Sequence, residues 1–121
     1  MKFAFLTIYV RDLEASIRFY ESMVGLTVQR RFSSGPAELA FLANAAGETE
    51  IELLQFPGRV FEAKGMFICF YCDELDAMHA KATAEGLGPS PIQKPDDTMR
   101  YFYVYDPDGV SVQLRTPPAG D

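Results

Sequence analysis

The residues that could hold a metal ion or act as nucleophiles are few in this chain. It has a single histidine, His79, and two cysteines, Cys69 and Cys72. Cys-x-x-Cys can indicate a redox or metal site. Residues 66–72, however, are largely apolar and predict a β-strand, in which residues three apart point to opposite faces. We therefore expect two free, buried thiols, and no site with two histidines can form within one protomer.

Two polar side chains, Glu52 and Gln113, interrupt segments that otherwise predict apolar strands. Because side chains alternate along a strand, Glu52 lies on the face opposite to Ile51 and Leu53. A buried carboxylate without a charge partner can act as a general base. No nucleophile or acid accompanies Glu52 in the sequence, so a binding role is the stronger interpretation. Glu52 is the one weak candidate for a catalytic residue.

The elements that position these residues occur in two copies. Residues 8–14 (IYVRDLE) align with 70–76 (FYCDELD) at an offset of 62, and 51–53 align with 112–114 at an offset of 61. Each copy predicts a strand, a helix and three further strands. The first helix begins after the N-cap Asp12 and ends at Gly25. Strands are predicted at residues 3–10, 26–32, 38–43, 48–56, 66–72, 89–93, 100–105 and 110–115, and the second helix at 73–85.

Strand alternation also predicts which faces meet the helices. In the first strand, the aliphatic Ala4, Leu6, Ile8 and Val10 share one face, and the other carries Phe3, Phe5, Thr7 and Tyr9. Tyr101, Tyr103 and Tyr105 similarly alternate with Phe102 and Val104. The predicted fold is therefore α+β, with two tandem βαβββ modules forming a curved sheet around a central hollow. The expected organisation is a single domain, 1–121, with a first module at 1–56, a linker at 57–64 and a second module at 65–116.

Composition excludes several classes of partner. The chain has 121 residues and a net charge of −6, and Arg30-Arg31 is its only adjacent basic pair. Nucleic acid binding requires a basic stripe, so we expect no nucleic acid partner. Apolar runs fall far short of the roughly 20 residues of a membrane span. The apolar N-terminus lacks a small-residue cleavage site. We expect a cytoplasmic protein without a membrane partner.

Two motifs carry a family resemblance over nearly the whole chain. Residues 10–20 (VRDLEASIRFY), followed by Gly25-Leu26, and residues 106–114 (DPDGVSVQL) resemble the vicinal-oxygen-chelate superfamily. This superfamily groups glyoxalase I, bleomycin-resistance proteins, fosfomycin-resistance enzymes and extradiol dioxygenases. Metal-dependent members place one ligand, typically His or Glu, on each of four strands. By position, the resemblance assigns these sites to Phe5, Glu52, Phe67 and Gln113.

That assignment predicts a member depleted of metal ligands. Divalent transition metals require imidazole, thiolate or carboxylate donors, whereas Phe5 and Phe67 offer no lone pair and Gln113 is a weak neutral donor. We therefore expect no metal cofactor. A carboxylate among aromatic rings suits a small cationic or aromatic molecule. The predicted inter-module pocket is lined by Phe5, Thr7, Glu52, Phe67, Tyr101, Tyr103 and Gln113.

Three functions remain open. The first is the binding of a small molecule without a metal, as in bleomycin-resistance proteins. The second is a metal-dependent enzyme of the lactoylglutathione-lyase or dioxygenase kind with atypical ligands. The third is a structural or assembly role with a filled, dry seam. Because members of the superfamily commonly dimerise, we also expect a homodimer with twofold symmetry.

Overall fold

The same order of elements occurs twice along the chain. The computed structural model describes residues 1–62 and 64–118, and the chain divides into two compact units, Met1–Glu62 and Ala63–Asp121. The first unit contains β1 (Phe5–Tyr9), α1 (Leu13–Val24), β2 (Thr27–Ser34), β3 (Ala37–Ala43) and β4 (Glu50–Gln55). The second contains β5 (Ile68–Tyr71), α2 (Leu75–Ala84), β6 (Gln93–Asp96), β7 (Met99–Tyr105) and β8 (Ser111–Arg115).

The two sheets have equivalent strand orders. The first sheet runs β1-β4-β3-β2, and the second runs β5-β8-β7-β6. In each, the strand before the helix pairs in parallel with the last strand of the unit, and the other pairs are antiparallel. The predicted α+β fold with two tandem βαβββ modules is confirmed. No helix within residues 1–62 or 64–118 is long and apolar enough to span a membrane.

Helix α1 begins and ends where its capping residues predict. The side chain of Asp12 accepts a hydrogen bond from the backbone N–H of Ala15, which satisfies one of the free donors of the first turn. At the other end, Gly25 adopts a left-handed conformation with φ of 71°, and its N–H donates to the Tyr20 carbonyl. The stripe that α1 buries includes Ile17 and Tyr20. It packs on β3 and β4 of the first sheet.

The predicted aliphatic face of the first sheet is the buried one. Ile8, Val10, Leu42 and Leu53 are almost completely buried, and they occupy the face that α1 covers. Because side chains alternate along each strand, Thr7, Glu52 and other polar or aromatic residues lie on the opposite face, which α1 does not cover.

The second unit is built in the same way around Phe102, which is completely buried on β7. His79 of α2 packs edge-on against the Phe102 ring, at a centroid distance of 5.0 Å. Its Nε2 lies 2.9 Å from the Ser90 carbonyl oxygen. The single histidine of the chain therefore has a structural role on the helix side of the second sheet.

The turn between β7 and β8 is held by Asp106, which is 5% exposed. Its Oδ1 accepts hydrogen bonds from the backbone N–H groups of Asp108 at 2.8 Å and Val110 at 2.9 Å. Gly109 completes the turn with a φ of 87°, a conformation that favours glycine. The DPDG motif thus forms a turn that is held by its own hydrogen bonds, and β8 begins directly after it, paired with β7.

Three local predictions were wrong. The sixth strand was expected at 89–93, but β6 is Gln93–Asp96, because Pro89 and Pro91 lack the N–H groups that a ladder needs. Phe67 was expected within a strand, yet β5 begins at Ile68. Both cysteines are free, as predicted, but neither is buried: Cys69 is exposed and Cys72 is half-buried.

Candidate functional site

The face of the first sheet opposite α1, here called the first open face, carries the polar and aromatic residues of the first unit. The parallel register of β1 and β4 places Thr7 beside Glu52 and Phe5 beside Glu50. The antiparallel register of β3 places Phe41 on the other side of Glu52. Glu52 therefore lies between a hydroxyl on one strand and an aromatic ring on the next.

Glu52 has a polar neighbour but no cationic one. The Thr7 hydroxyl donates a 2.6 Å hydrogen bond to Glu52 Oε1. Among the described residues, no lysine or arginine forms an ion pair with Glu52. A half-buried carboxylate gains from a cation within reach, and here that cation is not supplied by the described part of the chain.

Glu50, two residues earlier on β4, differs because Arg30 binds it. The guanidinium nitrogens of Arg30 donate to both carboxylate oxygens at 2.9 and 3.0 Å, which is the strong bidentate geometry. The Arg30 guanidinium carbon also lies 3.8 Å from the Phe41 ring centroid, within cation–π range. Arg30 thus binds Glu50 and Phe41, and no other described residue supplies a charge partner for Glu52.

Aromatic rings form the rest of the first open face. Phe41 is central and only 6% exposed. The Phe5 ring meets it edge-on with a centroid distance of 5.1 Å, and the Phe32 ring lies roughly parallel to it at 6.4 Å. Phe5 is 45% exposed, so this cluster presents an accessible aromatic surface beside the Glu52 carboxylate.

The equivalent face of the second sheet, the second open face, is centred on Gln113. This residue is 3% exposed, and its Nε2 donates to the Tyr103 hydroxyl at 3.1 Å. Its Oε1 is buried and has no hydrogen-bond partner among residues 1–62 and 64–118. If the amide is turned over, Oε1 accepts from Tyr103 and the NH₂ group is left unpaired instead. Either orientation leaves a buried polar group unsatisfied, at a cost of about 1–3 kcal/mol.

Aromatic rings surround this amide as well. The Tyr103 ring lies 5.4 Å from Phe67 and 5.7 Å from Tyr101, both edge-on. The Arg115 guanidinium carbon lies 5.9 Å from the Tyr101 ring centroid. The second open face therefore combines an unsatisfied amide with an aromatic wall and one guanidinium.

Cys69 is paired in register with Gln113 across β5 and β8. Partial burial raises the pKa of the Cys69 thiol, and the positive charge of Arg115 acts in the opposite direction. Because the net shift is upward, the thiol stays protonated at neutral pH. A protonated thiol is a poor nucleophile, so Cys69 has the properties of a small lining residue.

The seven residues predicted for the site lie on these two open faces. The first unit brings Phe5, Thr7 and Glu52 together, and the second brings together Phe67, Tyr101, Tyr103 and Gln113. The assignment of these residues to a ligand site stays a prediction. Residues that the sequence reasoning missed are Arg30, Phe32 and Phe41. Phe41 could have been found by applying strand alternation to β3.

Arg30 could not have been found by alternation. The register of β2 shifts between Val28, paired with Leu42, and Arg30, paired with Phe41. One extra residue, Gln29, therefore reverses the facing of every residue that follows. Arg31 then lies on the helix side, where its guanidinium bonds to Glu14 of α1. That hydrogen bond lowers the pKa of Glu14 and raises the pKa of Arg31.

The donor atoms do not fit a transition-metal centre. Of the four positions implied by the family resemblance, the first unit offers only the Glu52 carboxylate and the second only the neutral amide of Gln113. The benzyl groups of Phe5 and Phe67 cannot coordinate an ion. Within the described ranges, no group of three or more His, Cys, Asp or Glu side chains could hold a metal ion.

Comparison with known proteins identifies the family. Residues 2–114 match the family described as Glyoxalase/Bleomycin resistance protein/Dioxygenase superfamily. The uncharacterized protein YwbC of Bacillus subtilis (strain 168) is 39% identical over 116 residues, which cover 88% of this chain and 90% of YwbC.

Solved structures share the fold. Leishmania major glyoxalase I, described as trypanothione-dependent, has a TM-score of 0.77 and 24% identity, covering 96% of this chain and 86% of that protein. TnmS3, an antibiotic binding protein from Streptomyces sp. CB03234, has a TM-score of 0.77 and 20% identity, covering 97% and 96%. At these identities the likeness concerns the fold alone.

Proposed function

Because this chain belongs to the Glyoxalase/Bleomycin resistance protein/Dioxygenase superfamily, we propose that it binds a small aromatic cation without a metal. The observation that carries the proposal is the Glu52 carboxylate, which has a hydroxyl partner at 2.6 Å but no described cationic partner. An aromatic cation would pair its charge with Glu52 and place its ring against Phe5, which is exposed at the edge of the aromatic cluster.

The contrast between the two glutamates on β4 supports a cation of single charge. Arg30 already neutralises Glu50 through two hydrogen bonds. Glu52 Oε1 accepts from Thr7, which holds the carboxylate in one orientation. A ligand cation would therefore meet one positioned, uncompensated negative charge, and a charge-assisted hydrogen bond there is stronger than one between neutral groups.

The second open face, taken by itself, also offers polar and aromatic groups to a small molecule. The Tyr103 hydroxyl accepts a hydrogen bond from the buried Gln113 amide and can still donate one to a ligand. Phe67, Tyr101 and Tyr103 supply aromatic surface around this amide. TnmS3, which shares the fold, is described as an antibiotic binding protein, and sequestration of a small molecule requires no reaction.

Thermal-shift and calorimetric titrations with three isosteric probes test the proposal. Benzamidine is a planar cation, benzamide is its neutral counterpart and benzoate is an anion. We expect benzamidine to stabilise the protein and to shift the backbone NMR signals of Phe41 and Glu52, with benzamide markedly weaker. Equal binding of benzamidine and benzamide would argue against a charge-based site.

The competing function is a metal-dependent enzyme with atypical ligands. Elemental analysis of protein purified without added metal or chelator distinguishes the two. About one tightly held nickel, zinc or iron per protomer would overturn the metal-free proposal. Absence of stabilisation by any of the probes, together with absence of metal, would instead favour a structural role.

We also propose that the protein forms a homodimer with twofold symmetry. Large aromatic side chains such as Phe32, Phe67 and Tyr71 are exposed on the single chain, and exposed apolar surface of this kind often marks an association surface. Sedimentation velocity at micromolar concentration should give the mass of two chains. A single-chain mass under those conditions would contradict the proposal.

A further inference from the structure

A cavity of about 430 Å³ lies in the first unit, where β1 and β4 end. Its lining includes Val10 and Arg11, which follow β1, and Gln55, Phe56 and Arg59 at the end of β4 and beyond it. The volume is within the range of roughly 300–1,000 Å³ that small-molecule pockets occupy. None of the residues proposed above for the aromatic cation lines this cavity.

One wall of the cavity is a tight turn with a fixed shape. Residues 56–59 read Phe-Pro-Gly-Arg, and the Arg59 N–H donates to the Phe56 carbonyl at 3.0 Å. Gly58 has a φ of 78°, and proline followed by a positive-φ glycine is the type II turn pattern. The chain then returns to β1, because the Phe61 N–H donates to the Tyr9 carbonyl at 3.1 Å. The cavity is therefore bordered by preformed backbone.

Both charged residues that line the cavity are arginines. Arg11 and Arg59 line it, and none of the described lining residues is acidic, although the protein as a whole has a net charge of −6. Arg11 forms an exposed ion pair with Glu62 at 3.3 Å. Arg59 forms no ion pair with any described carboxylate. Its guanidinium carbon instead lies 5.4 Å from the Phe56 ring and 5.7 Å from the Tyr9 ring.

Gln55 adds a neutral donor. Its Oε1 accepts a 2.8 Å hydrogen bond from the Leu13 N–H at the start of α1, which fixes the orientation of the amide. Its NH₂ group has no hydrogen-bond partner among the described residues. The remaining lining, including Val10 and Phe56, is apolar. The Arg59 guanidinium donates a long hydrogen bond of 3.5 Å to the Tyr9 hydroxyl but pairs with no described carboxylate. The cavity thus combines this guanidinium and the amide donor of Gln55 with apolar walls.

We propose that this cavity binds a small organic monoanion that carries a carboxylate on a compact apolar body. Arg59 supplies the charge for the carboxylate, and Phe56 and Val60, two half-buried lining residues, contact the apolar part. A planar guanidinium suits a carboxylate, because both of its donors can be used at once. The site is independent of the aromatic-cation site, and either can exist without the other.

An NMR titration with benzoate, benzamide and inorganic phosphate tests this site on the full chain. We expect benzoate to shift the backbone signals of Gly58 and Arg59, with benzamide and phosphate both much weaker. Arg59→Gln should raise the dissociation constant for benzoate by about tenfold, because a hydrogen bond to a charged group is lost. Arg59→Lys keeps the charge but not the planar fork of donors. Its dissociation constant for benzoate should lie between those of the original protein and of Arg59→Gln.

The matched control is Arg18→Gln, which removes an exposed arginine on α1 and should leave benzoate binding unchanged. The proposal is overturned if benzoate fails to shift Gly58 and Arg59, or if Arg59→Gln binds it as tightly as the original protein. If benzamide bound as tightly as benzoate, the charge of the ligand would not contribute to binding. If phosphate bound as tightly as benzoate, the apolar part of the ligand would not contribute. Either result would overturn the proposal.

Discussion

Replacing Glu52 with glutamine should weaken the binding of benzamidine by about tenfold or more. The substitution keeps the size and shape of the side chain and removes its charge. The Thr7 hydroxyl can still donate to the amide oxygen of the new residue, as it does to Oε1 at 2.6 Å. The expected loss of benzamidine affinity would therefore result from the missing charge of Glu52 and not from a change in the structure of β4. Isothermal titration gives the dissociation constant.

The affinity of the neutral probe separates the possible causes of such a loss. Benzamide should bind the Glu52→Gln variant and the original protein equally. Glu48→Gln, which neutralises an exposed carboxylate in the loop before β4, should leave benzamidine affinity unchanged. If Glu52→Gln binds benzamidine as tightly as the original protein, Glu52 does not belong to the site.

Replacing Asp106 with alanine should lower the free energy of unfolding by about 2–4 kcal/mol. The side chain accepts two backbone hydrogen bonds, from Asp108 and Val110, and is 5% exposed. Its removal leaves the buried N–H of Val110 without an acceptor at the start of β8. Asp106→Asn keeps an acceptor oxygen and should lose less. Urea denaturation monitored by circular dichroism measures the change.

Asp97→Ala is the matched control for this turn. Asp97 forms an exposed ion pair with Lys94 at 3.6 Å, and such pairs contribute roughly 0–1 kcal/mol. Its loss should therefore hardly move the urea midpoint. An Asp106→Ala variant as stable as the Asp97→Ala variant would show that the turn does not depend on its side-chain hydrogen bonds.

The fold could be predicted because local signals agreed with the repeat. Asp12 and Gly25 bound α1 as expected from capping chemistry, and the aliphatic residues of β1 face the helix as alternation requires. The position of β6 could not be predicted in the same way. Ser90 exchanges hydrogen bonds with Tyr103 of β7, so the chain approaches the sheet before the strand begins. The neighbouring prolines delay regular pairing until Gln93.

The candidate site was partly predictable for a related reason. Alternation is reliable on short, regular strands, so it placed Thr7, Glu52 and Gln113 on the open faces. It fails beyond the bulge in β2, where Arg30 joins Glu50 and Phe41. The cavity beside Arg59 gave no periodic signal, because a turn and a strand end form it. Side-chain alternation along strands cannot predict which residues line a cavity formed by a turn and a strand end.

The bulge at Gln29 has a consequence for the length of β2. Val28 pairs with Leu42 and Arg30 with Phe41, so the strand carries one residue that has no partner opposite it. Deleting that residue should restore regular pairing and leave Arg30 on the side of Glu50 and Arg31 on the side of Glu14. The length of the chain can therefore change by one residue at this point while the distribution of charge between the two faces of the sheet stays the same.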